Sequence, residues 1–360
     1  MEKKLQKKLF IPGPVTVSPD VLEKMGTQMI GHRTKDASEL QRGISDKMRK
    51  VMFTKEEILL STTSGTGLME GAVRSGTKKR AAVFSVGAFG NRWYELAESN
   101  NVPADLFESE MGKPTTPEMV DKALATGKYD LVTITHNETS TGIMNPVKEI
   151  SDVIKKYPDV VFALDTVSSL GGVKIPYDEW GVDIGITSTQ KCLGLPPGLA
   201  IASFSQKAVE RAKEVTHRGY YLDLLKLYKT IQKKDYQYPS TPSLSHMFAL
   251  DYQLDKILNK EGLENRFNRH QEMADYVRAW AKKHFELFAE EQYASNTLTT
   301  VKNTKGISVK ELNQKLGERG YAISNGYGDL KEKTFRIAHM ADTTMDEVKE
   351  LLKVIEELIK

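Results

Sequence analysis

Two side chains in this sequence are placed to do chemistry together. Lys191 closes the run Asp183-Ile184-Gly185-Ile186-Thr187-Ser188-Thr189-Gln190-Lys191, which reads as a short apolar strand ending in hydroxyl and amide groups, and Pro196-Pro197-Gly198 turns the chain sharply soon after. An amine at the end of a core strand loses hydration, so its pKa falls and it becomes a nucleophile or base near neutral pH. Such a lysine condenses with carbonyls. Taken alone, a lysine that snorkels into solvent is the better reading, as for most lysines. The upstream run Val160-Val161-Phe162-Ala163-Leu164-Asp165 shifts the balance: it is continuously apolar, as in a strand buried on both faces of a parallel sheet, and it stops at a carboxylate.

Enough chain separates Asp165 from Lys191 for a crossover and a second strand. Both strand ends can then open on one sheet edge, where α/β folds bind ligands. An amine and a carboxylate converging there suit pyridoxal phosphate, which needs a lysine for its aldehyde and an acid beside its pyridinium nitrogen. Three loops add candidate contacts. Thr62-Thr63-Ser64-Gly65-Thr66-Gly67 follows apolar residues 58–60 and precedes a helix with Met69, Ala72 and Val73. Its glycines, hydroxyls and helix start would make a phosphate cup; the alternative is an ordinary glycine-rich helix cap. No lysine follows the second glycine, so it is not a nucleotide P-loop. His136-Asn137-Glu138-Thr139-Ser140-Thr141-Gly142 is either a turn or a binding loop. In Gly87-Ala88-Phe89-Gly90-Asn91-Arg92 the phenyl ring either stacks on a planar ligand or staples into the core.

The elements that must hold these loops follow from periodicity. Apolar runs at 58–60, 81–86, 131–134, 160–164, 182–186 and 199–204 alternate with helix-like segments near 68–74, 91–99, 117–125 and 147–156, which implies a mostly parallel sheet covered on both faces. Before it, residues 1–17 read as a charged arm leading into Pro12-Gly13-Pro14; Ser18-Pro19-Asp20 starts a helix, and another follows Gly31-His32-Arg33 with Leu40, Ile44, Met48 and Val51 on one face. After Lys207 the text is helical, at 222–231, 244–260 and about 264–288. The last ninety or so residues read as a small α+β unit. There, Ser308 with Glu311 and Thr344 with Glu347 form capping boxes, 335–338 is a strand, and Met345, Val348, Leu351, Leu352, Ile355 and Leu358 trace one helix face. No repeat or low-complexity stretch interrupts the chain.

Composition excludes several function classes. Of 360 residues, 51 are basic and 48 acidic, a net charge of +3 that is too balanced to argue for nucleic acid. The cluster Lys3, Lys4, Lys7, Lys8 reads as a solvated arm. The single cysteine, Cys192, rules out an intrachain disulfide and suits a reducing compartment. No apolar run approaches the roughly 20 residues of a membrane span, and no signal sequence is evident. A cytoplasmic enzyme with neither membrane nor nucleic-acid partner, and no metal in its site, is expected.

Taken in order, Pro12-Gly13-Pro14, Gly31-His32-Arg33, Ser64-Gly65-Thr66, the segment 136–142, Asp165-Thr166-Val167-Ser168-Ser169-Leu170-Gly171-Gly172, Ser188-Thr189-Gln190-Lys191 and Pro196-Pro197-Gly198 resemble the class V aminotransferases of fold type I, and within them the alanine/serine–glyoxylate (or pyruvate) group. The resemblance spans nearly the whole chain and is weakest after Lys260. It implies a seven-stranded, mostly parallel sheet in a large domain (20–255), and a small α+β domain built from 1–19 and 256–360. It makes Lys191 the Schiff-base lysine and proton shuttle, and Asp165 the partner of the pyridine nitrogen. Phe89 stacks on the ring, where relatives often carry tryptophan. Ser64, Gly65, Thr66 and Gln190 hold the phosphate, and Thr139 lies near the ring hydroxyl or substrate. Arg336 grips the substrate carboxylate, and Tyr238 and Thr241 reach the phosphate from the second subunit of a homodimer with shared active sites. The implied reaction moves an amino group from alanine or serine to glyoxylate or pyruvate by a ping-pong route. The alternatives are an acidic or phosphonate donor, for which Arg33 would supply a second cation, a lyase of the cysteine desulfurase kind, or a non-catalytic subunit of a larger assembly.

Overall fold

The computed structural model describes residues 7–360, so Lys3 and Lys4 of the basic cluster lie outside it. The chain enters with a short strand, β1 (Lys8–Phe10), and two helices, Pro19–Met25 and Lys35–Met52. Then come β2 (Glu57–Ser61), β3 (Ala81–Ser85), β4 (Ala104–Glu108) and β5 (Leu131–Thr135), a small hairpin of β6 (Asn137–Glu138) and β7 (Ile143–Met144), and β8 (Val161–Asp165), β9 (Ile184–Ser188) and β10 (Ala200–Phe204). The large sheet has the order β2-β10-β9-β8-β5-β3-β4. Strands β4, β3, β5, β8 and β9 run parallel, and β10 is antiparallel to both β9 and β2.

The continuous apolar runs have a simple cause. Ile58, Leu60, Ala82, Phe84, Phe162 and Leu164 point into one core with the helix residues Ile44, Met48 and Leu250. Their neighbours Leu59, Val83, Val161 and Ala163 point into a second core with Leu68, Val73 and Trp93. Both faces are dry, so no polar alternation survives in the sequence. Register then aligns the strand ends: Asp165 lies opposite Thr135 and Ile186, while Ser188 and Ser61 both lie opposite Ala200. One sheet edge thus carries the loops after β2, β3, β5, β8 and β9.

A second sheet, β1-β13-β14-β12-β11, is built from β11 (Glu286–Leu287), β12 (Leu298–Lys302), β13 (Tyr321–Asn325) and β14 (Thr334–Ala338), together with the N-terminal strand. Its own core joins Phe10, Val277, Phe335, Ile337, Val348, Leu351 and Ile355. No helix among the described residues is long and apolar enough to cross a membrane.

Several elements differ from the sequence reading. The edge strand β4 has no counterpart among the apolar runs, because Ala104–Glu108 is only half-buried and carries acidic residues. The helix expected to reach residue 288 spans Leu263–His284; Phe285 leaves it, buries its ring against Phe335 and lets Glu286–Leu287 pair with β12. The stretch read as a helix over 244–260 is α-helical to Asp255 and then loosens into a π-helical turn, Lys256–Glu261, ending at Gly262. Thr344 and Glu347 form a full capping box. At Ser308 the hydroxyl accepts from Glu311 N, but Glu332 rather than Glu311 satisfies a further free amide, that of Val309.

Close packing behind β9 makes one position sensitive. A Cβ on Gly185 would sit 2.0 Å from Cε2 of the buried Tyr177 ring. The Tyr177 hydroxyl is tied to Thr166 Oγ1 at 2.5 Å, so the ring cannot retreat freely. Gly185→Ala is expected to destabilise the fold by about 1–3 kcal/mol in urea unfolding; an unchanged midpoint would show that Tyr177 has room to move.

Candidate active site

The five loops meet around a cleft lined by Ser64, Gly65, Thr66, Phe89, Asp165 and Lys191 among others. Thr139 and Gln190 line it too.

Lys191 is placed by the turn after β9. Thr189 Oγ1 donates to Pro196 O (2.7 Å) and Gly194 N to Lys191 O (2.9 Å), which fixes the stem. The amine donates to Pro12 O, and the chain passes so close that a Cβ on Gly13 (φ +105°) would sit 2.5 Å from Lys191 Cδ. The N-terminal Pro12-Gly13-Pro14 segment therefore covers the lysine. Burial lowers the amine pKa to about 8, with the Asp165 charge opposing the drop. Asp165, at the end of β8, is pushed up to about 7 by burial, although it accepts from Val167 N at 2.7 Å. A carboxylate so poor in solvation gains most from a nearby cation.

The Phe89 loop is held by a buried acid. Glu138 Oε2 accepts from Phe89 N and Gly90 N (2.9 Å each), and its Oε1 accepts from Ser140 N and Oγ. These bonds use the free amides at the start of the helix Ala88–Ser99. His136 donates to or accepts from Ser169 Oγ (2.8 Å), and burial lowers its pKa to about 4, so it is neutral. On the far side, Arg336 projects from β14. Its Nη1 donates to Thr139 O (3.0 Å), and its Nε and Nη2 donate to Asn325 O (3.1 and 3.0 Å). Three of its five N–H groups are used, leaving one on each terminal nitrogen. Burial lowers its pKa to about 10, which keeps it charged at neutral pH.

A frame behind the cleft ties these parts together. The fully buried Arg266 donates to Gly171 O (2.9 Å), beyond Asp165, and to Cys192 O (2.8 Å), next to Lys191. Its other terminal nitrogen meets Glu261 (2.6 Å) and Asp342 (3.1 Å), the latter six residues beyond Arg336.

At the cup, Ser64 is the N-cap of the helix Gly65–Gly76, yet its hydroxyl caps none of that helix's amides. The buried Ser188 hydroxyl has no partner and lies 3.6 Å from where a Gly65 Cβ would be. A Cβ there would also meet Val167 Cγ2 at 2.6 Å, so only glycine leaves the pocket open. Unused donors around a helix start fit a phosphate, and the lysine–carboxylate pair fits pyridoxal.

Comparison with known proteins decides the family. Residues 21–351 match the family model Aminotransferase class-V. An uncharacterized aminotransferase of Methanocaldococcus jannaschii is 40% identical over 99% of this chain and 93% of its own length. The chain is a class V aminotransferase. The serine–glyoxylate aminotransferase of Arabidopsis thaliana is 30% identical over 98% of this chain and 90% of its own. The crystal structure of alanine–glyoxylate aminotransferase from Nostoc sp. superimposes with a TM-score of 0.92 at 27% identity, covering 99% of this chain and 96% of that one. The enzyme is a pyridoxal-phosphate-dependent transaminase with the fold type I architecture.

Not every expected residue reaches this cleft: Arg336 is not part of its lining and adjoins it through Thr139 O. Thr241 is exposed, and Tyr238 is buried with its hydroxyl accepting from Thr62 N (3.1 Å), outside the cleft lining. Arg33 is exposed and donates to Tyr238 O and Ser240 O, so in this chain it braces that loop rather than entering the cleft. Conversely, the sequence reading passed over Arg92, Asn137 and Ser168, which line the cleft. It also passed over Tyr327, whose ring lies 5.6 Å from Phe89 and 5.7 Å from the Arg336 guanidinium. Arg92, Asn137 and Ser168 all stand inside quoted motifs and could have been found; Tyr327 stands in none.

The depressed lysine pKa has a stability consequence. Between about 8 and 10.5 the unfolded chain of the cofactor-free aminotransferase binds a proton on Lys191 that the folded chain does not. Folding stability is therefore expected to rise through that window, relative to a Lys191→Met variant without the titrating amine. Urea unfolding across the window checks this; parallel pH profiles for the two proteins would contradict it.

Proposed function

We propose that this aminotransferase moves the amino group of alanine or serine to glyoxylate or pyruvate by ping-pong chemistry. The observation that carries the reading is Arg336: a buried, charged guanidinium beside the lysine cleft, anchored by two backbone carbonyls, with no carboxylate of its own among the described ion pairs. One such fork suits one carboxylate. The cofactor would occupy the cleft between Ser64 and Lys191, which leaves the substrate little beyond the reach of Arg336 and favours a short side chain.

Bound pyridoxal phosphate supplies an aldehyde that condenses with amines and an aromatic ring that withdraws electrons from the amine-bearing carbon. The chain supplies the rest. Ser64, Gly65, Thr66 and Gln190 would hold the phosphate, Phe89 would stack on the ring, and Thr139 would stand near the ring hydroxyl or substrate while its carbonyl steadies Arg336. Asp165 would keep a proton on the pyridine nitrogen. The Lys191 amine, with a pKa near 8, is available as a base and would carry a proton at Nζ between the substrate's amine-bearing carbon and the cofactor's aldehyde carbon. Donor and acceptor would visit the Arg336 fork in turn, which is the ping-pong order.

Tyr238 and Thr241, outside their own chain's cleft, would complete the phosphate site of a second copy, giving a cytoplasmic homodimer with shared sites. The large unit would span 20–255, and the small one 1–19 with 256–360. A desulfurase-like lyase is disfavoured because Cys192 is buried, bonded to Ser168 O (3.3 Å), and its thiol pKa is pushed to about 11.

Borohydride reduction of the holoenzyme is expected to fix the cofactor on Lys191 alone, and Lys191→Ala to abolish both labelling and turnover; labelling elsewhere would overturn the site. In a donor-by-acceptor panel, alanine or serine should outpace aspartate, and Arg336→Gln should lower kcat/KM by on the order of 100-fold. Aspartate outpacing both would overturn the monocarboxylate reading.

A further inference from the structure

We propose that Arg92 is a ligand of the cofactor phosphate, supplying the positive charge that the cup at Ser64-Gly65-Thr66 lacks. The inference rests on the cup being the phosphate site. Charge balance makes the case first. The cup offers hydroxyls, amides and the start of one helix, worth about half a charge, against a phosphate ester carrying about −1.5 to −2. Among the described residues lining the cleft, the cations are Lys191 and Arg92, and Lys191 is committed to the aldehyde.

Geometry points the same way. Arg92 lies one turn after Phe89 on the helix Ala88–Ser99. Its guanidinium sits 4.6 Å from the centre of the Phe89 ring, and Nη1 donates to Thr66 Oγ1 at 3.3 Å. It has no carboxylate partner among the ion pairs of the described residues, whereas neighbouring arginines such as Arg74 and Arg80 do. A guanidinium stacked on an aromatic ring is pre-organised, and its planar fork matches two phosphate oxygens. Phe89 would then have two tasks, contacting the cofactor ring and aiming Arg92 at the cup. Arg336 does not line the cleft beside the cup, and its remaining N–H groups are the ones assigned to the substrate carboxylate.

Pyridoxal, which lacks the phosphate, provides the test. Cofactor-free wild type, Arg92→Gln and Arg92→Lys are titrated with pyridoxal phosphate and with pyridoxal, following the absorbance of the bound cofactor. The thermal midpoint of each is also followed with added inorganic phosphate. Arg92→Gln is expected to weaken pyridoxal phosphate binding on the order of 10- to 100-fold, to leave pyridoxal binding unchanged, and to lose the phosphate-induced rise in midpoint. Arg92→Lys, which keeps the charge but not the fork, should show a smaller loss confined to the phosphorylated form, and it carries the test if the glutamine variant does not fold. Equal losses for both cofactors, or no loss, would overturn the proposal, as would an effect seen only in KM for acidic donors. If wild type itself bound pyridoxal as tightly as pyridoxal phosphate, the cup reading would fail instead.

Discussion

The structure turns on the cost of keeping one amine and one carboxylate away from water. Lys191 and Asp165 each sit where desolvation works against their charged forms, which lowers one pKa to about 8 and raises the other to about 7. Neither group is paid back in full by its own surroundings. An aromatic aldehyde carrying a basic ring nitrogen would relieve both at once, because it would give the amine a carbonyl and the acid a cation.

Holding two such groups together requires rigid neighbours. Parallel β8 and β9 supply it by register, since Asp165 lies opposite Ile186 and the lysine follows within a tight turn. Arg266 then clips the chain beyond Asp165 to the chain beyond Lys191 and reaches Asp342, on the segment that carries Arg336. Glu138 does the same for the Phe89 loop. These buried charges are each satisfied by several bonds, as burial demands.

Much of this was legible beforehand. The lysine, the carboxylate, the glycine- and hydroxyl-rich loop after β2 and the six apolar runs all declare themselves, because doubly buried strands leave no polar alternation and their polar ends stand out. Strand β4 did not, since an edge strand with one wet side looks like ordinary charged text. The helix end at His284 was hidden because Phe285 continues the apolar pattern while its backbone departs from it. Arg92 and Tyr327 were overlooked for another reason: their importance lies in what folds against them, Thr66 and Phe89 for one, Phe89 and Arg336 for the other. Linear spacing carries no trace of such contacts between loops.

The account's core is that Asp165 and Lys191 act on opposite ends of the same ring. The most direct measurement is the nitrogen-15 shift of labelled pyridoxal phosphate bound to the enzyme and to Asp165→Asn at neutral pH. The pyridine nitrogen is expected to be protonated in the wild type and unprotonated in the variant, with the cofactor attached to Lys191 in both. The same protonation state in the two proteins would contradict the account.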